Sequence, residues 1–209
     1  MSKDAILLVG AGGHAHACIE ALESRQQYRI AGLVGSRAEV GLKHFGYVVL
    51  GTDDDLPRLT AHYEYALISV GHIQNTDVRR ALYVFLLELG FKLPVILAST
   101  AYVSPHARIG AGSIVMHGAV VNAGAEIGDN CIINTRAVVE HDAKVGSHCH
   151  ISTGAILNGD VRVGDGSFVG SGCTVKEGIV IGQNVLVGMG LSVRYSLEDG
   201  CRFVDSGKL

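Results

Sequence analysis

Aliphatic residues recur at every sixth position through the C-terminal half of the chain. From Val103 to Val193, all sixteen positions spaced by six are valine, isoleucine or leucine. An amphipathic helix repeats near 3.6 residues and a half-buried strand near two, so neither explains a strict period of six. A hexapeptide solenoid does, because three short strands form each triangular coil and the recurring aliphatic residue points inward. The pattern predicts a left-handed parallel β-helix of about five coils.

Glycine follows the inward aliphatic residue in many of these hexads. The positions are Gly110, Gly128, Gly146, Gly164, Gly170, Gly182 and Gly188. Such glycines suit corners at which a Cβ atom would clash or a positive φ is required. A solenoid of this kind also exposes stacked strand edges and usually pairs with copies of itself, so we expect a homotrimer.

The N-terminal part alternates short apolar runs with helical patterns. The run Ala5 to Val9 leads through a glycine turn into helical spacing that continues to Leu22. The remaining predicted elements are strands near Arg29–Val34, Tyr47–Leu50, Tyr65–Val70 and Val95–Leu97, and helices over Asp53–Leu59 and Asn75–Gly90. Alternating β and α units predict a small, Rossmann-like parallel sheet. We place this α/β domain at residues 1–98, and the β-helix with a C-terminal tail at 99–209.

The glycine turn, Gly10 to Ala15, indicates the ligand of the first domain. A turn of this kind aims backbone N–H groups and a helix N-terminus at an anion, which favours a phosphate or pyrophosphate. A dinucleotide site would also need an acid about twenty residues further on, to hold the ribose hydroxyls. The chain has Val34-Gly35-Ser36 there. This argues against NAD and favours a nucleoside diphosphate.

Charge and composition narrow the class of protein. The formal net charge of −3 and the absence of a basic run argue against a nucleic-acid partner. No stretch approaches 18 consecutive apolar residues, and the N-terminus lacks a signal-peptide pattern, so we expect a cytoplasmic protein with no membrane partner. Five cysteines without a CxxC pair are typical of reduced, buried thiols.

Histidines concentrate in the central coils, at His117, His141, His148 and His150. Acyl transfer from a thioester requires a proton acceptor near the nucleophile, and histidine titrates in the useful range. His141 is followed by Asp142, whose carboxylate could fix the tautomer of the ring and raise its basicity. Adjacent strand residues point to opposite faces, so this pairing requires a corner between them. Glu140 is the alternative partner.

Together these features resemble the NeuD/PglD-type family of bacterial sugar acetyltransferases, in particular its perosamine N-acetyltransferase branch. The motifs that carry the resemblance are Gly12-Gly13-His14, Gly71, the segment Ile132–Asp142 and the segment Ser147–Gly159. The resemblance implies a trimer with acetyl-CoA in a cleft between neighbouring subunits. It also implies that the N-terminal domain holds a nucleotide-linked amino sugar whose amine attacks the thioester.

The same resemblance assigns roles to individual residues. His141 becomes the general base, with Asp142 as its partner, and Asn134 and His150 become polar groups near the acetyl end. The amide of Gly159 would bind the thioester oxygen, where negative charge develops. The pantetheine path would be lined by Ser171, Gly188, Met189 and Gly190. The diphosphate or sugar would meet Gly12, Gly13, His14 and Gly71, and no metal is implied.

One departure from the family bears on the nucleotide. Members that use UDP-sugars carry an acidic pair after the second strand, where this chain has Val34-Gly35-Ser36. We therefore favour GDP-perosamine, the GDP-linked 4-amino-4,6-dideoxymannose, with UDP- and dTDP-sugars as open alternatives. The implied process is lipopolysaccharide or glycan synthesis.

Three other functions are compatible with parts of the pattern. The first is O-acetylation of a sialic acid, since the same base could deprotonate a hydroxyl. The second is a zinc-dependent carbonic anhydrase, with ligands from His117, His141 and His148 or His150 across a trimer interface. The third is a non-enzymatic scaffold that binds nucleotide sugars.

Overall fold

The computed structural model describes residues 3–205, and its elements fall into two units. The first unit contains the chain up to Gly71 together with Asp77–Ser99, and the second contains His72–Thr76 and the chain from Thr100 onward. The short segment His72–Thr76 therefore belongs with the solenoid, although it precedes the last helix of the first unit. The domain limit at residues 98 and 99 stays a prediction, and the end of the predicted tail, residues 206–209, lies outside the described residues.

The first unit is a small α/β fold. Its elements are β1 (Ala5–Val9), α1 (Gly13–Arg25), β2 (Arg29–Val34), β3 (Lys43–His44), β4 (Tyr47–Gly51), a 3-10 helix (Asp53–Asp55), α2 (Leu56–Leu59), β5 (Tyr65–Ile68), α3 (Asp77–Glu88) and β6 (Ile96–Leu97). The sheet order is β3-β4-β2-β1-β5, in which only β3 is antiparallel to its neighbour. The predicted parallel sheet is confirmed. Strand β3 was not predicted, because two polar residues carry no apolar alternation.

The core of this unit explains why its strands read as continuous apolar runs. Leu7 and Val9 of β1 are fully buried beside Ile68 of β5, and Leu82 and Leu86 of α3 pack against them. A central parallel strand covered on both faces has no solvent side, so alternation disappears from its sequence.

The second unit is a ladder of two-residue strands. They are β7 (Tyr102–Val103), β8 (Arg108–Ile109), β9 (Ile114–Val115), β10 (Val120–Val121), β11 (Glu126–Ile127), β12 (Ile132–Ile133), β13 (Val138–Val139), β14 (Lys144–Val145), β15 (His150–Ile151), β16 (Ile156–Leu157), β17 (Arg162–Val163), β18 (Phe168–Val169), β19 (Thr174–Val175), β20 (Val180–Ile181), β21 (Leu186–Val187), β22 (Ser192–Val193) and β23 (Arg202–Phe203). In β7 to β22 the second residue is the predicted inward aliphatic. From Val115 onward each of these inward residues is at most 4% exposed. The predicted β-helix is confirmed.

The strands form the three faces of a prism, and the strands within each face are parallel. The first face contains β7, β10, β13, β16, β19 and β22, the second contains β8, β11, β14, β17 and β20, and the third contains β9, β12, β15, β18, β21 and β23. From β7 to β22 paired residues lie eighteen positions apart, as in Val120 with Val138 and Val138 with Ile156, whereas β21 and β23 pair at a separation of sixteen. We name each corner by the faces it joins. The chain passes the first–second corner after a first-face strand and the third–first corner after a third-face strand.

The corners require two kinds of special residue. Positive φ falls at equivalent positions such as Gly124 (+74°) and Asp142 (+61°). Apart from Gly188, the predicted corner glycines serve close stacking instead, since a Cβ on Gly128 would lie 2.7 Å from the carbonyl carbon of Gly146 in the next coil. A side chain there would push the coils apart.

The inward column gives a prediction about stability. Ile133 is fully buried, so Ile133→Ala removes apolar contacts and leaves a cavity, and should lower the free energy of unfolding by about 2–5 kcal/mol. Urea titration at one fixed protein concentration measures it. Val180→Ala, on the outer side of the second face at 46% exposure, is the control and should change stability by less than about 0.5 kcal/mol. Equal losses for both variants would contradict the assignment of inward and outward positions.

Candidate active site

His141 and Asp142 meet at the first–second corner after β13. The Nδ1 atom of His141 lies 3.0 Å from Oδ2 of Asp142. The positive φ of Asp142 turns the chain between the two residues, so neighbours that would diverge in a strand come together. The corner that this pairing requires is therefore present. Both side chains are about two-thirds exposed, at 67% and 68%.

The carboxylate changes the basicity of the ring. The hydrogen bond with Asp142 raises the pKa of His141 above its ordinary value. Desolvation lowers this pKa slightly, while the negative charges of Asp142 and Glu140 raise it further. Because a carboxylate accepts, Nδ1 carries the hydrogen and Nε2 keeps its lone pair. Glu140 itself accepts a weaker bond, 3.2 Å, from the backbone N–H of His141. This arrangement can take a proton at Nε2.

Two glycines, one coil away on either side, leave room for the pair. A Cβ atom on Gly159 would lie 2.7 Å from Cε1 and Nε2 of His141, and one on Gly124 would lie 2.5 Å from Oδ1 of Asp142. The ring thus lies directly over the backbone of Gly159. His141 and Gly159 line an open concavity of about 530 Å³. The other lining residues are Glu140, Asn158, Asp160, Glu177 and Gly178.

His150 and Asn134 form a second polar pair. His150, at 7% exposure on β15, has Nδ1 2.7 Å from the carbonyl oxygen of His72 and Nε2 3.0 Å from the side-chain nitrogen of Asn134. A carbonyl only accepts, so Nδ1 carries the hydrogen. The side-chain oxygen of Asn134 accepts the N–H of Thr135 at 2.8 Å, which turns its amide nitrogen toward the ring. The hydrogen bonds therefore fix a neutral His150 in one tautomer.

The residues predicted to line the pantetheine path lie at the third–first corner, after β18 and β21. Ser171 accepts the N–H of Gly190 through its backbone oxygen at 2.8 Å, and its hydroxyl lies 2.9 Å from that of Ser152. Met189 is 80% exposed. Asn134 lies at the same corner two coils earlier, whereas His141 and Gly159 lie at the first–second corner. Within one chain the predicted cosubstrate residues are thus divided between two corners of the prism.

The first unit brings its four predicted substrate residues together at the carboxyl ends of β1 and β5. Gly12 caps α1 without a side-chain bond, and a Cβ on Gly12 or Gly13 would meet nothing within 4 Å. A Cβ on Gly71 would lie 3.3 Å from Cγ of His14. The helix therefore begins with open backbone N–H groups, the arrangement that binds phosphate.

Sequence reasoning missed a buried cation beside this site. Arg79 of α3 is 1% exposed and donates from Nη1 to the carbonyl oxygens of Ile68 at 2.7 Å and Val70 at 2.8 Å. These bonds hold the chain that leads from β5 to Gly71. The available signal was the spacing of Arg79 from Leu82 and Leu86, which puts a charge on the apolar face of α3.

Two further features concern the described part of the chain as a whole. Among residues 3–205, no three or more histidine, cysteine, aspartate or glutamate side chains are grouped so that they could hold a metal ion. None of the described helices has both the length and the apolar character needed to cross a membrane.

Each unit matches a known domain. Residues 5–84 match the PglD N-terminal domain. Residues 106–141, 124–159 and 142–177 match the bacterial transferase hexapeptide (six repeats), and residues 160–195 match the hexapeptide repeat of succinyl-transferase.

Solved structures extend the similarity over nearly the whole chain. A histidine-to-asparagine variant of perosamine N-acetyltransferase from Caulobacter crescentus, in complex with CoA and GDP-perosamine, is 34% identical with a TM-score of 0.87, covering 93% of this chain and 90% of that one. This chain belongs to the PglD-type family of bacterial sugar acetyltransferases. The acetyltransferase domain of PglB from Neisseria gonorrhoeae, in complex with acetyl coenzyme A, is also 34% identical, with a TM-score of 0.87 and 95% coverage of both chains.

Membership of this family confirms the predicted enzyme class, an acetyl-CoA-dependent sugar N-acetyltransferase built on a left-handed β-helix. WeeI from Acinetobacter baumannii shares the fold at 22% identity, with a TM-score of 0.82 and 94% coverage of both chains. No curated protein sequence matches the chain.

The His141–Asp142 contact predicts a pH effect. Asp142→Asn removes the main cause of the raised pKa, so the pKa of His141 should fall toward its ordinary value of about 6.5. A base must be neutral to accept a proton, so the acid limb of the rate profile should move to lower pH. NMR titration of the imidazole Cε1–H signal measures the pKa directly. A larger fall in Glu140→Gln than in Asp142→Asn would make Glu140 the partner.

Proposed function

We propose that this enzyme transfers acetyl from acetyl-CoA to the 4-amino group of a nucleotide-linked 4-amino-4,6-dideoxy sugar, with GDP-perosamine as the favoured acceptor. The observation that carries the reaction type is His141, held by Asp142 at 3.0 Å with Nε2 available in an open concavity. The choice of acceptor is supported by the relative solved with GDP-perosamine and by the missing acidic pair after β2. We also propose a cytoplasmic location and a role in lipopolysaccharide or glycan synthesis.

The proposed reaction uses the groups at the two corners. The amine attacks the thioester carbonyl while Nε2 of His141 takes its proton. Negative charge then develops on the carbonyl oxygen. The N–H of Gly159 can donate a hydrogen bond to this oxygen, since it has no acceptor among residues 3–205. The carbon–sulfur bond breaks, and the imidazolium returns the proton to the CoA thiolate. Asn134 donates one amide hydrogen to His150 and keeps the second for acetyl-CoA.

Assembly as a trimer would bring the two corners together. The outer side of the first face carries four apolar residues and two hydroxyl residues, which are Tyr102, Val120, Val138, Ile156, Thr174 and Ser192. The outer side of the second face carries four charged residues and one valine, which are Arg108, Glu126, Lys144, Arg162 and Val180. An apolar face is the better candidate for the interface. If three prisms turn their first faces toward a threefold axis, the first–second corner of each copy lies beside the third–first corner of the next. His141 and Gly159 of one copy would then face Ser171 and Met189 of its neighbour.

A direct assay of acceptors tests the proposal. Thiol release from acetyl-CoA is measured with GDP-, UDP- and dTDP-linked 4-amino-4,6-dideoxy sugars, with free sialic acid alongside. We expect saturable turnover with GDP-perosamine. Turnover on sialic acid alone would identify an O-acetyltransferase, and absence of any CoA binding would favour a scaffold. In the same assay, His141→Asn should lower turnover by about 10² to 10⁴ fold. Near-normal turnover would remove His141 from the role of base.

The interface gives a further prediction. Val138→Glu places a charge on the outer side of the first face and should convert the trimer to smaller species, because burying an unpaired carboxylate opposes assembly. Light scattering after gel filtration measures the mass, and activity should fall with it. Arg108→Glu, on the second face, is the matched control and should remain trimeric. A trimeric Val138→Glu variant would place the interface elsewhere.

A further inference from the structure

His117 and Arg136 lie in adjacent coils at the third–first corner, after β9 and β12 respectively. The backbone N–H of Arg136 donates to the carbonyl oxygen of His117 at 3.0 Å. A Cβ atom on Gly118 would lie 3.3 Å from Cγ of Arg136, so the arm of Arg136 passes over the residue that follows His117. We call the side chains of His117 and Arg136 the donor pair.

Thr100 orients the imidazole ring of the donor pair. Its hydroxyl oxygen lies 2.9 Å from Nδ1 of His117 and accepts the N–H of Gly118 at 3.1 Å. Nδ1 is thereby occupied, whereas Nε2 has no hydrogen-bond partner among residues 3–205. When the hydroxyl donates to Nδ1, the neutral ring carries its hydrogen on Nε2. Arg136 is exposed and forms no ion pair within the same residues, so both side chains can donate to an anion.

Position, rather than the lack of an ion pair, distinguishes Arg136. Arg108 on the second face is also exposed and without an ion pair in the described part of the chain. In the proposed trimer, however, the third–first corner of one copy lies beside the first–second corner of the next, which carries His141. One coil before His141 that corner consists of residues 122–124, which are asparagine, alanine and glycine. The donor pair therefore faces uncharged positions.

The donor pair lies on the N-terminal side of the reacting groups. His117 precedes His141 by 24 positions, and coils repeat at about 4.8 Å, so His117 lies about 6 Å nearer the N-terminal end of the prism. Copies related by a threefold axis along the prism keep this offset between neighbours. The predicted acetyl-CoA residues Gly159, Ser171 and Met189 lie in the coils on the other side of His141. The space beside the donor pair is thus left for the acceptor.

We propose that the donor pair of one copy binds the phosphate on C1 of the acceptor sugar, while the amine of that sugar lies at His141 of the neighbouring copy. This inference rests on the proposed function and its trimer. A pyranose ring separates a C4 amine from a C1 phosphate by a length similar to the offset between His117 and His141. The guanidinium of Arg136 matches the phosphate, and the carboxylates of Glu140 and Asp142 attract the ammonium. Opposite charges at its two ends therefore orient the sugar with its amine toward the thioester.

Truncated acceptors test the phosphate contact. Perosamine 1-phosphate keeps the phosphate without the nucleoside, and free perosamine lacks both. We expect wild type to have the higher kcat/KM for the 1-phosphate. His117→Gln and Arg136→Gln should each lower this preference about 5- to 30-fold, through a rise in KM for the 1-phosphate, because each removes a hydrogen bond to a charged group. KM for acetyl-CoA should stay unchanged.

Two further variants control for charge and for folding. Arg136→Lys keeps the positive charge and should recover part of the preference for the 1-phosphate. Arg108→Gln removes an arginine of equal exposure class from the second face and should leave every parameter unchanged.

Mixed trimers test whether the site is shared between copies. Co-expression of Arg136→Gln copies with His141→Asn copies creates sites in which His141 comes from one copy and Arg136 from its neighbour. Such trimers should show turnover at the wild-type KM for GDP-perosamine, which neither parent variant shows alone. If the mixed trimers never recover this KM, sharing between copies is refuted.

The remaining outcomes separate the donor pair from the proposed function. A wild type that acetylates no nucleotide-linked amino sugar refutes the function itself. Normal wild-type turnover, with an unchanged preference for the 1-phosphate in the double variant His117→Gln/Arg136→Gln, overturns the donor pair and leaves the function standing. Equal losses for the 1-phosphate and free perosamine also overturn it, because the two side chains would then act on the sugar ring or on the fold.

Discussion

The inward stacking of one aliphatic residue per hexad is the constraint on which the solenoid depends. Columns such as Val121, Val139 and Leu157 are fully buried, so a shift of one residue would move a whole column from the core to the surface. The register of the coils from β7 to β22 is thereby fixed at eighteen residues. Chemistry is confined to the outward positions and the corners, where side chains can change without disturbing the core.

The His141–Asp142 pair shows how a corner becomes a reactive group. A left-handed backbone at Asp142 brings two sequence neighbours together, and glycines in the coils on either side leave space for both side chains. Three successive coils therefore contribute to one hydrogen bond. Because the core holds those coils in register, the pair needs little further support, although both side chains are exposed. Precise positioning here comes from the repeat itself rather than from burial.

Features with a period could be predicted from the sequence, and features made by single long-range contacts could not. The hexads gave the inward residue of each strand from β7 to β22, and the apolar runs gave the places of β1, β2, β4 and β5. The segment His72–Thr76 joins the solenoid, where the carbonyl of His72 fixes the tautomer of His150, 78 residues further on. The hydrogen bonds from Arg79 to the carbonyl oxygens of Ile68 and Val70 likewise leave no pattern in the sequence. The shared site that we propose between two copies likewise cannot be completed from one chain.

A repeat also allows charge to vary along an axis while the backbone stays the same. Successive first-face strands are followed, eighteen residues apart, by Glu140, Asn158, Lys176 and Arg194, so these equivalent positions differ only in the chemistry of the side chain. An acidic end beside His141 stabilises an imidazolium, which forms whichever acceptor gives up its proton, and it attracts an ammonium group, which only an amino sugar supplies. A neutral hydroxyl acceptor gains nothing from that field before it loses its proton. The sign of the charge around His141 therefore favours an amino sugar over a sialic acid as the acceptor, independently of the likeness to known enzymes.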